Sequence, residues 1–152
     1  MAKTLISFLM LLALTTVYAQ TDNPKYNQHL ADSLGADDYG MKLYILVILK
    51  TGQIKMEDKQ KTDSLFLGHL QNIKRLADAG KLIVAGPLKK NDKKYEGIFI
   101  LNVGTFEEAN ILLETDPAIK SKVLETELFQ WYGSAALPLF LKYHENVRKK
   151  DF

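Results

Sequence analysis

The sequence predicts an α+β domain in the element order β-α-β-β-α-β. Three observations carry that prediction. Residues 43–49 (Leu-Tyr-Ile-Leu-Val-Ile-Leu) and 97–103 (Gly-Ile-Phe-Ile-Leu-Asn-Val) are apolar runs rich in β-branched and aromatic residues, the pattern of strands buried on both faces. Between the first of these and the next apolar run, Phe66, Leu70, Ile73 and Ala77 recur at helical spacing. Ahead of a last strand, Thr105-Phe106-Glu107-Glu108 opens a second helix with the T-x-x-E form of a capping box.

Residues 1–19 precede the fold. Lys3 supplies a positive start, residues 5–14 are almost unbroken apolar, and Val17-Tyr18-Ala19 ends in residues that signal peptidase accepts. The apolar stretch is too short for the roughly 20 residues that span a bilayer. It reads as a signal peptide cut after Ala19, which makes the protein exported, periplasmic or extracellular, with no membrane attachment after cleavage. Residues 20–40 hold Asp, Asn, Ser, Gly and Pro without a sustained period and read as a linker, with a helical turn allowed near 28–33. The folded domain then spans 41–134, and 135–152 form a C-terminal extension.

Within the domain, the polar stretch 51–61 leads into a helix over 62–79, with Leu65, His69 and Leu76 flanking the stripe and Gly80 as its cap. Residues 82–85 (Leu-Ile-Val-Ala) are a second strand stopped by Gly86-Pro87, and 89–96 are a charged loop before the third strand. In the capping box Thr105 is the N-cap and Glu108 reaches back to its amide. Asp116-Pro117 starts a fresh turn, with Asp capping and Pro at the first helical position. Residues 124–132 are the fourth strand, broken by Gly133, and 137–150 can form a terminal helix with Pro138 in its first turn.

This is the split βαβ order of a ferredoxin-like sandwich, a four-stranded antiparallel sheet with two helices on one face, here with a C-terminal helical extension. Strands one and three are central in that topology, and they are the two most continuous apolar runs. Two helices cover only one sheet face, yet both faces of these strands are apolar. A second copy packed sheet to sheet is the economical cover, so a homodimer is expected.

Composition narrows the chemistry. The 152 residues fit one domain, and 47% hydrophobic content is ordinary for a globular chain. Twenty Lys+Arg against eighteen Asp+Glu give a formal charge of +2, with no general field for nucleic acid or anionic lipid. The absence of cysteine removes disulfides, thiolate nucleophiles and cysteine-ligated metals. No P-loop, G-x-G-x-x-G or G-x-S-x-G motif occurs. His144-Glu145-Asn146-Val147-Arg148 starts like H-E-x-x-H but ends in Arg148, so no metal site is predicted. His29 reads as an exposed tail residue. The lysines at 89, 90, 93 and 94 and the basic end at 148–150 read as solvated, and Glu125 and Glu127 as surface residues on one strand face.

One constellation is left. His69 lies three or four residues from Leu65, Phe66, Ile73 and Leu76, which turns it toward the apolar side of its helix. Gly68 beside it costs a helix about 1 kcal/mol relative to Ala, and its missing side chain permits close approach by a ligand or another backbone. On these residues alone His69 is more readily a satisfied core histidine than a reactive group, and Asp116 is already accounted for as a helix cap.

The string Gly68-His69-Leu70-Gln71-Asn72-Ile73, then Leu76-Ala77 and Gly80 to Pro87, resembles the signature of the YciI-like (YCII-related) family. Gly97-Ile98-Phe99-Ile100, Thr115-Asp116-Pro117-Ala118 and Trp131-Tyr132-Gly133 resemble its second half. The resemblance covers roughly residues 41–136. It implies a dimeric ferredoxin-like α+β fold and a His–Asp site, which maps onto His69 and Asp116. It implies no assigned substrate, although dehydrochlorination of aromatics occurs in the family. Ala118 stands where an aromatic is common in relatives, and Lys122 near a position that is often Gly.

The resulting expectation is a cofactor-independent acid–base enzyme acting by proton abstraction, with elimination or isomerisation, on a small organic molecule. His69 and Asp116 are its catalytic pair. Tyr44, Trp131, Gly86 and Pro87 are the expected substrate-binding residues of a pocket between the first helix and the sheet. The alternative is a non-catalytic dimeric module that binds a small ligand or is purely structural.

Overall fold

The structure, a computed structural model, describes residues 23–150. The signal-peptide expectation at 1–19 lies outside the described residues. Elements follow in the order α1 (Gln28–Leu34), β1 (Met41–Thr51), α2 (Lys59–Asp78), β2 (Leu82–Pro87), β3 (Tyr95–Leu101), α3 (Phe106–Leu113), α4 (Pro117–Lys120), β4 (Leu124–Ser134) and α5 (Leu141–Val147). A 3-10 turn, Leu137–Phe140, precedes α5.

The strands form one antiparallel sheet in the order β2-β3-β1-β4, so the two apolar runs are central. Register then fixes which residues share a face. On β1, Ile45, Val47 and Leu49 stand opposite Leu101, Phe99 and Gly97 of β3 and Gln130, Leu128 and Thr126 of β4. Ile45, Val47, Leu49, Phe99 and Leu101 are buried with Leu76 of α2, Ala109 and Leu113 of α3, and Ala118 of α4, so the helices cover this face. The alternate positions, Leu46 and Ile48 on β1 and Ile98 and Ile100 on β3, point to the other face and are half-buried in the single chain. The fold is the expected ferredoxin-like α+β sandwich.

Several boundaries differ from the sequence reading, each for a local reason. Helix α2 starts three residues early because Asp58 caps it, its carboxylate accepting the amides of Gln60 and Lys61. Strand β2 runs through Gly86 and Pro87, since an edge strand tolerates a missing N–H. Strand β4 continues through Gly133 to Ser134. A Cβ on Gly133 would fall 2.5 Å from the Trp131 ring, so this glycine makes room for the indole without ending the strand. In the Thr105 box, the Thr105 hydroxyl accepts the Glu108 amide as expected, but the Glu108 carboxylate takes the hydroxyl proton rather than the Thr105 amide.

The expected linker holds a finished helix: Asn27 caps α1, and Gly35, at φ 69°, closes it in the left-handed region. The expected terminal helix is shorter than 137–150. Pro138 and the lack of a side-chain cap leave a 3-10 turn before α5.

Candidate active site

Helix α2 buries a different stripe from the one its aliphatic spacing suggests. Its buried residues are His69, Asn72 and Leu76, whereas Phe66 and Leu70 are about 40% exposed. Two polar side chains therefore sit on the inner face of the helix, where each needs a partner. The Asp116-Pro117 turn between α3 and β4 supplies it. His69 Nδ1 lies 2.7 Å from Asp116 Oδ2, and the Asp116 carboxylate is almost fully buried.

Gly68 brings the two segments this close. A Cβ on Gly68 would stand 2.8 Å from Pro117 Cγ, so the proline ring fills the space that the glycine leaves. Gly68-His69 and Asp116-Pro117 interlock as two dipeptides, glycine receiving proline and histidine meeting aspartate. The cost of glycine inside a helix thus serves the approach of α2 to this turn.

Asp116 divides its oxygens. Oδ1 accepts the amides of Ala118 and Ile119 and caps α4. Oδ2 faces His69 and accepts a long contact, 3.4 Å, from Asn72 Nδ2. Burial pushes its carboxyl upward, but the His69 hydrogen bond and charge, the Ala118 amide and Asn72 outweigh it, and Asp116 is held below the ordinary value of 3.8. It is the anionic partner in the pair.

The carboxylate can only accept, so Nδ1 of His69 carries the hydrogen in their bond. Nε2 has no hydrogen-bond partner among the described residues, and no side-chain nitrogen or oxygen among them is both buried and unpartnered. The exposed tenth of the side chain therefore includes Nε2. The ring stacks on Phe99 at 5.9 Å and takes the edge of Phe66 at 6.2 Å, both centroid to centroid. Ala85, beside Phe99 in the β2–β3 register, is small and exposed.

The expected substrate-binding residues are not assembled around this pair. Tyr44 and Trp131 face each other in the β1–β4 register, ring centroids 5.6 Å apart, on the sheet face opposite the helices. Strand alternation is the reason: their neighbour Ile45 points into the helix-covered core that also holds Phe99. Tyr44 is wholly buried there, its hydroxyl donating to the Ser134 carbonyl, with the Lys42 ammonium 5.1 Å from its ring centre. Gly86 pairs with Ile98 and belongs to that same opposite face, and Pro87 ends β2 beside Gly97. A single pocket lined by Tyr44, Trp131, Gly86 and His69 is thereby corrected.

Phe66 and Phe99 pack against the His69 ring and Asn72, held by Arg75, reaches Asp116; none of the four is expected from the sequence as a site residue. The one available signal was a polar residue, Asn72, on the inner side of an amphipathic helix.

The remaining sequence candidates are surface features. His29 and His144 are exposed, and Glu127 pairs with Lys50 at 3.5 Å. Asn91 braces the lysine-rich hairpin by accepting the amides of Lys93 and Tyr95. Among the described residues no group of three or more His, Asp or Glu is placed to hold a metal, and no helix is long and apolar enough to cross a membrane. Two surface hollows, one lined by residues 88–93 and Tyr95 and one by Ile119, Lys122, Leu124, Glu125 and Thr126, do not include His69. Lys122 has φ 61°, the left-handed conformation that glycine adopts without strain.

No curated protein matches the chain. A solved structure of 5-chloro-2-hydroxyhydroquinone dehydrochlorinase from Burkholderia phenoliruptrix AC1100, in complex with 2,5-dihydroxybenzoquinone, is similar at 21% identity. The match covers 57% of this chain and 92% of that one, with a TM-score of 0.41. The model of the YCII-related domain matches residues 41–132, which span every strand apart from the last two residues of β4 and carry both His69 and Asp116, and the chain belongs to that family.

Proposed function

We propose that the protein is a cofactor-independent acid–base enzyme that uses His69 Nε2 to abstract a proton from a small organic molecule. The observation that carries this reading is the division of the imidazole. Nδ1 is committed to a buried carboxylate, and Nε2 is left unpartnered at the exposed part of the ring. In that tautomer Nε2 presents a lone pair. Asp116 orients the ring and stabilises the imidazolium that forms when the proton arrives. The C–H electron pair then becomes a new double bond. A leaving group on the adjacent carbon departs with its own bonding pair in an elimination; in an isomerisation, His69 returns the proton elsewhere on the substrate. The half-exposed Phe66 ring beside the imidazole favours a flat, cyclic or aromatic substrate.

The same reading includes a homodimer through the open sheet face, where Leu46, Ile48, Ile98, Ile100 and the 44%-exposed Phe129 form an apolar surface. It also includes export directed by residues 1–19. A non-catalytic module, ligand-binding or purely structural, is the second reading; the small exposure of the ring favours its structural form.

The test is a panel of small ring compounds with an acidic C–H, halogenated and not, incubated with the protein in D2O. Deuterium uptake and halide release are read by NMR and ion chromatography. Turnover of at least one compound that falls about 10²-fold or more in His69→Gln supports the enzyme, in line with the usual contribution of a general base. Binding without exchange or release, equal in wild type and His69→Gln, overturns it in favour of the module.

A further inference from the structure

We propose that Asn72, locked by Arg75, is a positioning residue for the His69–Asp116 pair. The clamp fixes the plane of the Asp116 carboxylate, so that one oxygen stays on the imidazole while the other caps α4. This rests on the acid–base reading above and adds residues that the family signature does not assign to the site.

Arg75 has only donors. Its Nε and one Nη lie 3.2 and 2.7 Å from Asn72 Oδ1, so both N–H groups point at that oxygen. An amide whose oxygen is held in this way has one orientation, with its NH2 directed away from Arg75. That NH2 meets Asp116 Oδ2, the oxygen bonded to His69. If the amide turned over, its oxygen would face the carboxylate and its nitrogen the guanidinium, two repulsive contacts in place of two attractive ones.

Arg75 is itself held. The same Nη donates to the Thr115 hydroxyl at 2.8 Å, and that hydroxyl gives its single proton to the Leu112 carbonyl at 2.6 Å. The clamp thus ties α2 to the end of α3, immediately before Asp116.

Position gives the clamp its meaning. Asn72 is three residues after His69 and Arg75 three after Asn72, so all three rise along one side of α2. Asn72 is 7% exposed in a helix face otherwise lined by Leu76 and the core, where an apolar residue would be expected if packing were its only task. The Asn72–Asp116 contact is long at 3.4 Å, and its part is orientation more than strength. With Oδ1 bound to the amides of Ala118 and Ile119 and Oδ2 held between Asn72 and His69, the carboxylate is fixed at both oxygens and cannot turn away from the ring.

The test is the tautomer of His69, read from long-range 1H–15N correlations of histidine-labelled protein above the pH at which the ring becomes neutral. Wild type is compared with Asn72→Leu, Arg75→Met and Arg75→Lys. A carboxylate free to turn away from the ring holds the Nδ1 hydrogen less tightly, so the clamp predicts Nδ1–H in wild type, a several-fold gain of the Nε2–H form in Asn72→Leu and Arg75→Met, and retention of the wild-type pattern in Arg75→Lys, which keeps a donor for Asn72 Oδ1. Arg75 is exposed, so its two variants remain informative if Asn72→Leu fails to fold. Nδ1–H retained in Arg75→Met overturns the clamp while leaving the pair intact. Nε2–H already dominant in wild type overturns the acid–base reading itself.

Discussion

Replacing Gly68 with alanine separates helix propensity from the geometry of the site. Propensity alone predicts stabilisation, since alanine is better than glycine inside a helix by about 1 kcal/mol. Packing predicts the reverse. The new Cβ would sit 2.8 Å from Pro117 Cγ, against about 3.5–4.0 Å for carbon atoms in contact, so Pro117 or the helix must move by about 1 Å. Forcing one extra methyl into a packed contact costs about 1–3 kcal/mol, so the net change ranges from neutral to a loss of about 2 kcal/mol. The larger consequence is local. Asp116 is covalently joined to Pro117, and a shift of this size carries its Oδ2 from 2.7 Å to beyond hydrogen-bond distance of His69. Urea unfolding gives the stability, and the side-chain 15N shifts of His69 report the bond. A Gly68→Ala protein that gains about 1 kcal/mol and keeps the wild-type His69 signature would refute the interlock of the two dipeptides.

Other outcomes follow from the same contacts. Asp116 has a depressed folded-state pKa, so its contribution to stability is fully present above the ordinary value of 3.8 and is lost as pH falls from there through the folded value. Urea midpoints between pH 7 and pH 3 should therefore fall more steeply in wild type than in Asp116→Asn, and parallel acid limbs would contradict this. Gly133→Ala should displace the sole tryptophan, because the new Cβ meets the Trp131 ring at 2.5 Å; a red-shifted emission maximum is expected, and an unchanged spectrum would show that the indole does not lie over that glycine. Leu46→Lys places a charge in the open sheet face with little effect on the single chain. Sedimentation should change from dimer to monomer, whereas a wild-type protein that is already monomeric would remove the sheet-to-sheet assembly.

Much of the fold was legible because its signals are local. The apolar runs at β1 and β3, the Thr105 cap and the Asp116-Pro117 start each declare themselves within a few residues, and the central positions of β1 and β3 follow from their double-sided apolarity. The pairing of His69 with Asp116 spans 47 residues, and no local pattern contains it; only the family resemblance placed the two together. Tyr44 and Trp131 were misplaced because aromatic character says nothing of parity, and one residue of offset from Ile45 sends Tyr44 to the opposite face. The stripe of α2 was misjudged for a related reason. Apolar spacing marks Phe66 and Leu70, but the polar residues His69 and Asn72 are buried because Asp116, 47 residues away, and Arg75, one turn further along the helix, satisfy them.

His69 presents an unprotonated Nε2 because Asp116 holds the hydrogen on Nδ1. The long-range 1H–15N spectrum of neutral His69 in wild type and in Asp116→Asn reads this without intermediate steps. Asparagine keeps the cap on α4 but turns an NH2 toward His69, which can only be met by a bare Nδ1. Nδ1–H is expected in wild type, with a switch to Nε2–H in Asp116→Asn. The same tautomer in both proteins would contradict it.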